Sequence, residues 1–305
     1  MQKTNQKKAY FFALLSVLCW STVATAFKIS LASIDYFQLL SWTSFISSIV
    51  LFFILIIQKK LHYLNKLSKK EVLLSLLAGM LNPFLYYTIL FKAYSILPAQ
   101  EAMVLNYSWP LVLVLLSAPL LKQKLSSKVL IALLICFSGI IVIVTHGDFA
   151  HFQLSNSTGD LLALGSSIIW AMYWIVNMKN PIDNVVKLFI GFTMGFILSF
   201  ISNVLFSELI LPDLNTLISV SYIGLFEMSL TFVLWLTALQ YSASTAKVSR
   251  LVYLSPFMSL ILIHFVLGEK IHWTSVIGLI LIILGIAFQE NISFKNKPEQ
   301  NNNQV

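Results

Sequence analysis

The chain has 305 residues, of which 58% are hydrophobic and only 10% are charged, and its mean hydropathy is +0.85. A soluble domain carries about 25% charged residues, so this composition excludes an ordinary soluble protein. It indicates a polytopic membrane protein whose short loops leave no length for a sizeable soluble domain. The net charge of +8 suits a nucleic-acid partner, but the placement of the basic residues argues against one.

The sequence lacks the motifs of enzymes that work within membranes. It contains no H-E-x-x-H metal helix and no paired nucleophile and base, so no catalytic residue is predicted. It also lacks the G-x-x-x-x-G-K-[ST] phosphate loop, which argues against ATP-driven transport. Cys19 and Cys136 lie in apolar runs without the spacing of a metal site or a disulfide. We therefore predict no cofactor and no metal.

Apolar segments of about 20 residues, the length that spans a bilayer as a helix, divide the chain into ten predicted spans. A basic tail at residues 1–9 comes first. The spans of the first half are Tyr10 to Lys28, Tyr36 to Ile57, Glu71 to Phe91, Pro98 to Leu121 and Lys128 to Thr145. Those of the second half are Gly159 to Asn177, Val185 to Phe206, Thr216 to Gln240, Thr245 to Leu267 and Trp273 to Gln289. Residues 291–305 are polar and are predicted to form a disordered tail.

The placement of lysine and arginine gives the orientation of these spans. With the N-terminus inside, all of the 20 basic residues except Lys28, Lys92 and Lys270 fall in or beside cytoplasmic segments. This asymmetry follows the positive-inside rule. It predicts a multi-pass protein of the cell inner (plasma) membrane with both termini in the cytoplasm, so the partner of the basic residues is the lipid bilayer and not nucleic acid.

Polar, aromatic and proline residues recur in the two halves of the chain at a nearly constant offset. The matched pairs include Trp20 with Trp170, Asn82 with Glu227, Tyr107 with Tyr253, and Pro110 with Pro256. Each half contains an odd number of predicted spans, so the halves cross the membrane in opposite senses. We therefore predict two inverted five-helix repeats at residues 10–145 and 159–290, joined by an external linker at 146–158.

Inverted repeats are the architecture of secondary transporters, which bind a solute near the midplane between their halves. A cleavable signal peptide is the alternative interpretation of the first segment, because Lys7 and Lys8 precede a short apolar run and an A-x-A pattern. Cleavage would remove Trp20, one member of a matched pair, so the repeat favours a membrane span.

Glu227 lies in the middle of the eighth span, and its repeat mate Asn82 lies at a similar depth in the third. Charged residues within a bilayer are costly and usually serve a solute or ion pathway. We predict that both side chains face a central cavity, where Glu227 holds a substrate ammonium group or carries a coupling proton. The alternative is a hydrogen bond between helices made by a protonated Glu227.

Lys247 and Arg250 lie one helical turn apart near the cytoplasmic end of the ninth span. Arg250 is the deeper of the two, and we predict that it binds a substrate carboxylate or acts at a gate. Lys247 is predicted to serve gating or coupling, with an interfacial anchor as the alternative. Glu101, the repeat mate of Lys247, lies at the opposite membrane face, where it serves a second gate or stays solvated at a helix end.

Trp170, Tyr107 and Tyr253 are the aromatic residues that we predict to contact the solute. Packing or a place in the interfacial aromatic belt is the alternative for each. Pro110 and Pro256 are predicted to break their helices, as in the discontinuous helices of transporters, with a simple packing kink as the alternative.

The order and spacing of these features resemble those of the EamA-type transporters of the drug/metabolite transporter superfamily. Each unit opens with an apolar run that ends in Trp, and the second unit carries Pro256, a Leu267-Gly268-Glu269 ending and Gly285. The first unit departs from this pattern, because Leu121-Lys122-Gln123 lacks the Gly-Glu pair. The resemblance implies an all-α, ten-helix transporter that moves amino acids, other metabolites or drugs through a central cavity.

We predict a secondary transporter that moves amino acids or similar small amphiphilic metabolites by alternating access. An acid and an arginine suit a zwitterion, and aromatic walls suit its side chain. The alternative substrates are S-adenosylmethionine or other nucleoside-like cations, for which the acid and an aromatic cage suffice. A structural or scaffold membrane protein is the non-transporter alternative, although a scaffold does not need Glu227 and Arg250 within the bilayer. The oligomeric state is left open, and a monomer is sufficient.

Overall fold

A computed structural model describes residues 4–120, 127–148, 156–208, 210–242, 248 and 250–295, and every regular element in these ranges is a helix. Seven helical segments there are long and apolar enough to cross a membrane: Gln6–Leu31, Tyr36–Ile57, Lys69–Ile96, Ser157–Lys179, Asn184–Phe206, Leu214–Tyr241 and Arg250–Leu267. Two shorter apolar helices cover Ile131–Val144 and Trp273–Phe288. The prediction of an all-helical membrane protein is confirmed.

The helices of the first half are α1 (Gln6–Leu31), α2 (Tyr36–Ile57), α3 (Lys69–Gly79), α4 (Tyr86–Ile96), α5 (Ala99–Asn106), α6 (Trp109–Leu120) and α7 (Ser127–Val144). A 3₁₀ turn, Leu61–Lys66, connects α2 to α3. Ser68 and Glu71 form a capping box that starts α3. Asp35 starts α2 by accepting hydrogen bonds from the backbone amides of Phe37 and Gln38.

The helices of the second half are α8 (Ser157–Lys179), α9 (Asn184–Phe206), α10 (Leu214–Tyr222), α11 (Thr231–Tyr241), α12 (Leu254–Leu267) and α13 (Trp273–Lys295). A 3₁₀ turn, Arg250–Tyr253, leads into α12. Asp213 caps α10, and hydrogen bonds from the side chain and backbone amide of Thr216 hold the pKa of its carboxyl below its usual range.

Two of the long membrane helices are interrupted by a widened, π-helical turn. One turn, Met80–Leu85, joins α3 to α4, and the other, Ile223–Leu230, joins α10 to α11. Asn82 leaves helical geometry in the first turn, with φ −141° and ψ 117°, because the residue before a proline is pushed out of the helical region. The second turn contains no proline and keeps Glu227 near its centre. Such turns occur frequently at functional sites.

The structure corrects three of the predicted segments. The span predicted from Pro98 to Leu121 consists of two helices, since α6 restarts with Pro110 in its first turn, where a proline needs no hydrogen bond from its nitrogen. The ninth span likewise contains a 3₁₀ turn, Arg250–Tyr253, followed by α12. Pro256 lies in the first turn of α12. At the C-terminus, α13 continues to Lys295 because polar residues extend a formed helix at little cost. Residues 296–305 of the predicted tail lie outside the described residues.

Contacts between helices come in corresponding pairs. Helix α4 packs on α8 while α11 packs on α1, and α6 packs on α8 while α12 packs on α1. Two further contacts join helices with the same position in each half, α2 with α9 and α7 with α13. This arrangement places α1, α4, α8 and α11 around the centre of the bundle.

Glycines allow the backbones of paired helices to approach closely. A Cβ atom on Gly79 of α3 would lie 2.3 Å from the carbonyl oxygen of Gly191 on α9. A Cβ atom on Gly139 of α7 would lie 2.7 Å from the carbonyl oxygen of Gly278 on α13. Small residues at helix contacts are the usual means of packing within a bilayer, where apolar burial provides little driving force between helices.

Candidate solute-binding site

A cavity of about 370 Å³ lies between the central helices. Five tryptophans line it: Trp20, Trp109, Trp170, Trp174 and Trp235. Tyr107 and Tyr253, two of the predicted contact residues, also belong to its wall. The volume lies within the range of cavities that bind small molecules, and the aromatic wall suits an apolar or cationic solute.

Glu227 is the one acidic side chain among the described residues that line this cavity. It is buried, and its Oε1 accepts a hydrogen bond of 2.8 Å from the hydroxyl of Tyr87 on α4. Its Oε2 is buried as well and has no hydrogen-bond partner among the described residues. A buried carboxylate oxygen without a donor is costly, so this oxygen is suited to a ligand that brings a donor or a positive charge.

The widened turn that carries Glu227 is stabilised by hydroxyl groups. The hydroxyl of Ser47 on α2 donates to the carbonyl of Met228 at 2.8 Å. Ser229 donates to the carbonyl of Gly224 at 2.5 Å, and Thr231 donates to that of Phe226. A bilayer offers no water to freed backbone carbonyls, so these hydroxyls satisfy the turn internally. Glu227 therefore projects from a fixed backbone.

The aromatic wall is organised around Trp170. The ring of Tyr86 lies 4.6 Å from it at an interplanar angle of 34°, and the Trp109 ring meets it edge-on at 6.3 Å. The Tyr86 hydroxyl donates to Oδ1 of Asn106 at 3.1 Å, and Nδ2 of Asn106 donates to the Ser166 hydroxyl at 2.8 Å. This chain of hydrogen bonds fixes the orientation of Tyr86 and connects α4 and α5 with α8.

The described part of the wall contains neither lysine nor arginine. Arg250 begins the 3₁₀ turn ahead of α12 and is exposed, so the structure does not bring it into the wall. The sequence-based depth of Arg250 assumed a continuous helix from Thr245, whereas a short turn at the helix end lets a guanidinium reach water. Lys247 lies outside the described residues.

The structure places the other predicted site residues in different environments. Asn82 is buried outside the wall, next to Tyr173, whose ring lies 5.5 Å from that of Trp170. Pro110 lines the cavity, while Pro256 is buried away from it. Glu101 is buried in the first turn of α5 and is likewise absent from the cavity wall.

Sequence reasoning did not predict the hydrogen bond between Tyr87 and Glu227, and it did not single out Asn106. Tyr87 had no signal as a partner of Glu227, because the two residues are 140 positions apart in the chain. Asn106 had a usable signal, since it is an amide within an apolar run and directly precedes Tyr107.

Aromatic side chains pack between α1 and α4, and two of them, Phe27 and Tyr94, also line the cavity. The Phe27 ring lies 4.8 Å from that of Phe91 and 5.3 Å from that of Tyr94. Nζ of Lys28 donates to the carbonyl of Tyr94 at 2.8 Å. These contacts join α1 to α4.

The sequence profile of the EamA-like transporter family matches the chain twice, over residues 7–145 and 157–289. An uncharacterized transporter of Archaeoglobus fulgidus is 26% identical over 283 residues, which cover 92% of this chain and 96% of that protein. The uncharacterized transporter YvbV of Bacillus subtilis is 25% identical over 255 residues, which cover 81% and 80%.

One solved crystal structure, described only as that of a protein, shares the fold at a TM-score of 0.67 and 20% sequence identity. The superposition covers 96% of this chain and 100% of that one. The two profile matches together extend over both halves of the chain, and the relatives named above are described as transporters. The resemblance drawn from the sequence is confirmed, and the chain belongs to the EamA-like transporter family.

Proposed function

We propose that the protein is a secondary transporter with ten spans, in the inner membrane, with both termini in the cytoplasm. The paired helix contacts, the two matching interruptions and the double profile match support two repeats, at residues 10–145 and 159–290. The repeats rock against each other along α1, α4, α8 and α11, so that the cavity opens to one side of the membrane at a time.

The proposed solute is a small amphiphilic metabolite with a positively charged group. The observation that carries this proposal is Glu227, which lines an aromatic cavity and whose buried Oε2 lacks a donor within the described part of the chain. An ammonium or sulfonium group at this oxygen would be paired with the carboxylate and would lie among aromatic faces. S-adenosylmethionine and other nucleoside-like cations belong to this class.

Amino acids are the second candidate, and two further atoms of the wall favour them. Nε1 of Trp174 and Oγ of Ser259 are buried without a partner among the described side chains. Both are donors, so they suit the carboxylate of a zwitterion whose ammonium group is held by Glu227. In this version they replace Arg250, which lies outside the wall, as the carboxylate contact.

The remaining charged residues are proposed to act in gating. Glu101 lies at the N-terminal turn of α5, and Lys247 and Arg250 precede α12 at the other end of the spans. In alternating access, each end needs contacts that form when that end closes. Glu101 would then act at one gate, and the two basic residues at the other.

Matched aromatic solutes test this proposal in proteoliposomes. Uptake is measured for radiolabelled phenethylamine, a cation, for phenylalanine, a zwitterion, and for 3-phenylpropionate, an anion. The cation or the zwitterion is expected to be transported, and the anion is not. Transport of the anion alone, or unchanged uptake of every solute by Glu227→Gln, would show that Glu227 does not bind the solute.

The same assay separates the two candidate substrates. Trp174→Phe removes one indole N–H and keeps an aromatic ring in the wall. If amino acids are the substrate, this change lowers phenylalanine uptake and leaves phenethylamine uptake intact. Equal uptake of phenylalanine by the variant and the parent protein argues for the cation.

A further inference from the structure

A second buried acidic centre lies where α5 and α8 begin. Glu101 of α5 and Asp160 of α8 are each only 2% exposed, the two helices pack against each other, and the Glu101 carboxyl is a neighbour of the Asp160 carboxyl. Nε2 of His146, from the segment that follows α7, lies 3.8 Å from Oε1 of Glu101. Neither carboxyl lines the solute cavity, so this centre is separate from Glu227.

Helix capping does not account for either carboxyl. The N-terminus of α8 is capped by Asn156, whose Oδ1 accepts a hydrogen bond of 3.0 Å from the Gly159 amide. The N-terminus of α5 is capped from another part of the chain, because Glu269 accepts hydrogen bonds from the backbone amides of Ala99 and Gln100. The usual structural reason for an acid in a first helical turn is therefore already met by other residues.

Asp160 is the residue that points to a ligand. Both of its carboxyl oxygens are buried, and no described residue gives either of them a hydrogen bond by an N–H or hydroxyl donor. Two ionised carboxylates in contact and away from water repel each other strongly. One proton between them removes that repulsion and supplies the missing hydrogen bond, as in the carboxyl pairs that share a proton in aspartic proteases.

We propose that Glu101 and Asp160 together bind one proton and that its release opens this end of the transporter. Helix α5 belongs to the first repeat and α8 to the second, and the two pack against each other. Leu97, just before α5, packs directly on Gly159 of α8, so the two helix ends are also held by an apolar contact. Loss of the proton would leave two repelling carboxylates across this junction. The inference rests on the alternating access proposed above.

The surroundings bear on when the proton leaves. His146 faces the pair, and its ring lies 6.0 Å from that of His272, which precedes α13. A positive charge at this position would favour the ionised carboxylates, so the contact with His146 opposes binding of the proton. Other titratable groups among the described residues of the neighbouring elements are Lys28 and Tyr94 beside α5, Lys92 over the Tyr36 ring, Glu269 and Lys270 at the α5 cap, and Asp148 after His146.

Infrared spectroscopy of the purified full chain in detergent tests for the shared proton without a solute. The carbonyl stretch of protonated carboxylic acids is recorded at neutral pH in H₂O and D₂O, in a Glu227→Gln background that removes the carboxyl of the cavity. We expect the band of one carboxylic acid, and we expect the pair of changes Glu101→Gln and Asp160→Asn to abolish it. Asp213→Asn, at an exposed helix cap, is the matched control and leaves the band unchanged.

An unchanged band after the paired change would overturn the proposal. If the paired variant does not elute as a folded protein, the Glu227→Gln protein alone decides, because the absence of its carboxylic-acid band at neutral pH contradicts a shared proton. In vesicles, the paired variant in the otherwise unaltered chain should lose the pH-gradient-driven accumulation of phenethyltrimethylammonium, a permanently charged analogue that cannot cross the bilayer as a neutral base, and should retain its exchange. Unchanged solute binding in Glu227→Gln together with a retained band would contradict the solute site and leave the proton site standing, whereas lost binding with no band would contradict the proton site alone.

Discussion

The two interrupted helices each contain a widened turn, but the side chains that the two turns carry differ in chemistry. In the first, Asn82 and Pro83 are buried, and the proline ring packs on Gly195 of α9, where a Cβ atom would lie 2.2 Å from Cγ of Pro83. In the second, the turn carries Glu227 at the wall of the cavity. One interruption therefore fills space against a neighbouring helix, and the other presents a carboxylate to the solute cavity.

This difference indicates how an inverted repeat acquires an asymmetric site. The repeat supplies two matching turns at similar positions, and each turn frees backbone carbonyls that need donors. Hydroxyls from Ser47 and Ser229 meet this need at the second turn, and Thr88 donates to the carbonyl of Phe84 next to the first. Because hydroxyl groups supply donors to backbone carbonyls at both turns, the side chain that each turn carries can differ without leaving those carbonyls unpaired.

The largest effect is expected from removing the charge of the second turn. Glu227→Gln keeps the size of the side chain and the contact with Tyr87 but removes the negative charge from the cavity. A hydrogen bond to a charged group contributes about 2–3 kcal/mol, so the Kd for phenethylamine should rise about 30- to 150-fold. Isothermal titration calorimetry on the purified protein measures this change.

The control for this variant is Glu71→Gln. Glu71 is a partly exposed glutamate whose carboxylate accepts a hydrogen bond from the Ser68 amide at the start of α3, and it is absent from the cavity wall. The control should bind phenethylamine as the parent protein does. Equal losses in the two variants would contradict a specific role for the Glu227 charge.

A substitution that disturbs the first turn should lower the stability of the protein. Gly195→Ala places a methyl group against the rigid ring of Pro83, and overpacking of this kind costs about 1–3 kcal/mol. We expect the apparent Tm to fall by roughly 5 °C. The fall is measured in detergent by the loss of the monodisperse fraction on heating.

Gly165→Ala is the matched control for this substitution. Gly165 also lies within a long membrane helix, but a Cβ atom there meets no atom within 4 Å. Alanine is a better helix former than glycine, so this variant should keep or slightly raise the Tm. A fall in Tm at Gly165 equal to that at Gly195 would show that the proline contact is not the cause.

A smaller effect is expected from the hydroxyl that orients Glu227. Tyr87→Phe removes the hydrogen bond of 2.8 Å to Oε1 and keeps the buried ring. Loss of this bond, worth about 1 kcal/mol, should weaken phenethylamine binding about 5-fold. Tyr222→Phe removes a comparable hydroxyl, which contacts Thr22 at 2.6 Å outside the cavity wall, and it should leave Kd unchanged.

The smallest effect is expected from removing the Ser47 hydroxyl, which donates a hydrogen bond to the carbonyl of Met228. Ser47→Ala removes the donor to Met228, and hydrogen bonds between membrane helices contribute about 0.6 kcal/mol on average. The apparent Tm should fall by roughly 1–2 °C. Ser138→Ala is its control, because that exposed hydroxyl bonds only within its own helix, to Ile135, and no change in Tm is expected.

The sequence predicted the helical membrane fold because a bilayer requires long apolar segments, and hydropathy measures these directly. The breaks within helices depend on local geometry, which hydropathy does not measure. The widened turn around Glu227 depends on carbonyls that find hydroxyl donors, and one of those donors, Ser47, comes from another helix. The α5–α6 break and the start of α12 instead lie beside Pro110 and Pro256, the two prolines that the sequence predicted to break helices. Arg250 illustrates the consequence, since its predicted depth assumed a regular rise along one helix. A short turn placed it at an exposed end instead.

The sequence predicted those residues of the candidate site that stand out from their surroundings in the chain or that recur in both halves. Glu227 is an acid within an apolar run. Trp170, Tyr107 and Tyr253 each have an aromatic counterpart in the other half of the chain. The pairing of Tyr87 with Glu227 and of Glu101 with Asp160 joins residues from different helices, and no local pattern predicts such contacts. Asp160 stands near a helix start, where an acid is ordinary, and it gains significance only from its burial and its neighbour.

The aromatic wall also determines how the protein responds to light. Of the seven tryptophans in the chain, all except Trp42 and Trp273 line the cavity, so most of the intrinsic fluorophores surround the place where a solute would bind. Indole emission is sensitive to nearby charge and to exclusion of water. The unlabelled protein therefore carries its own optical reporter of occupancy, and a solute that fills the cavity should change its emission without any attached dye.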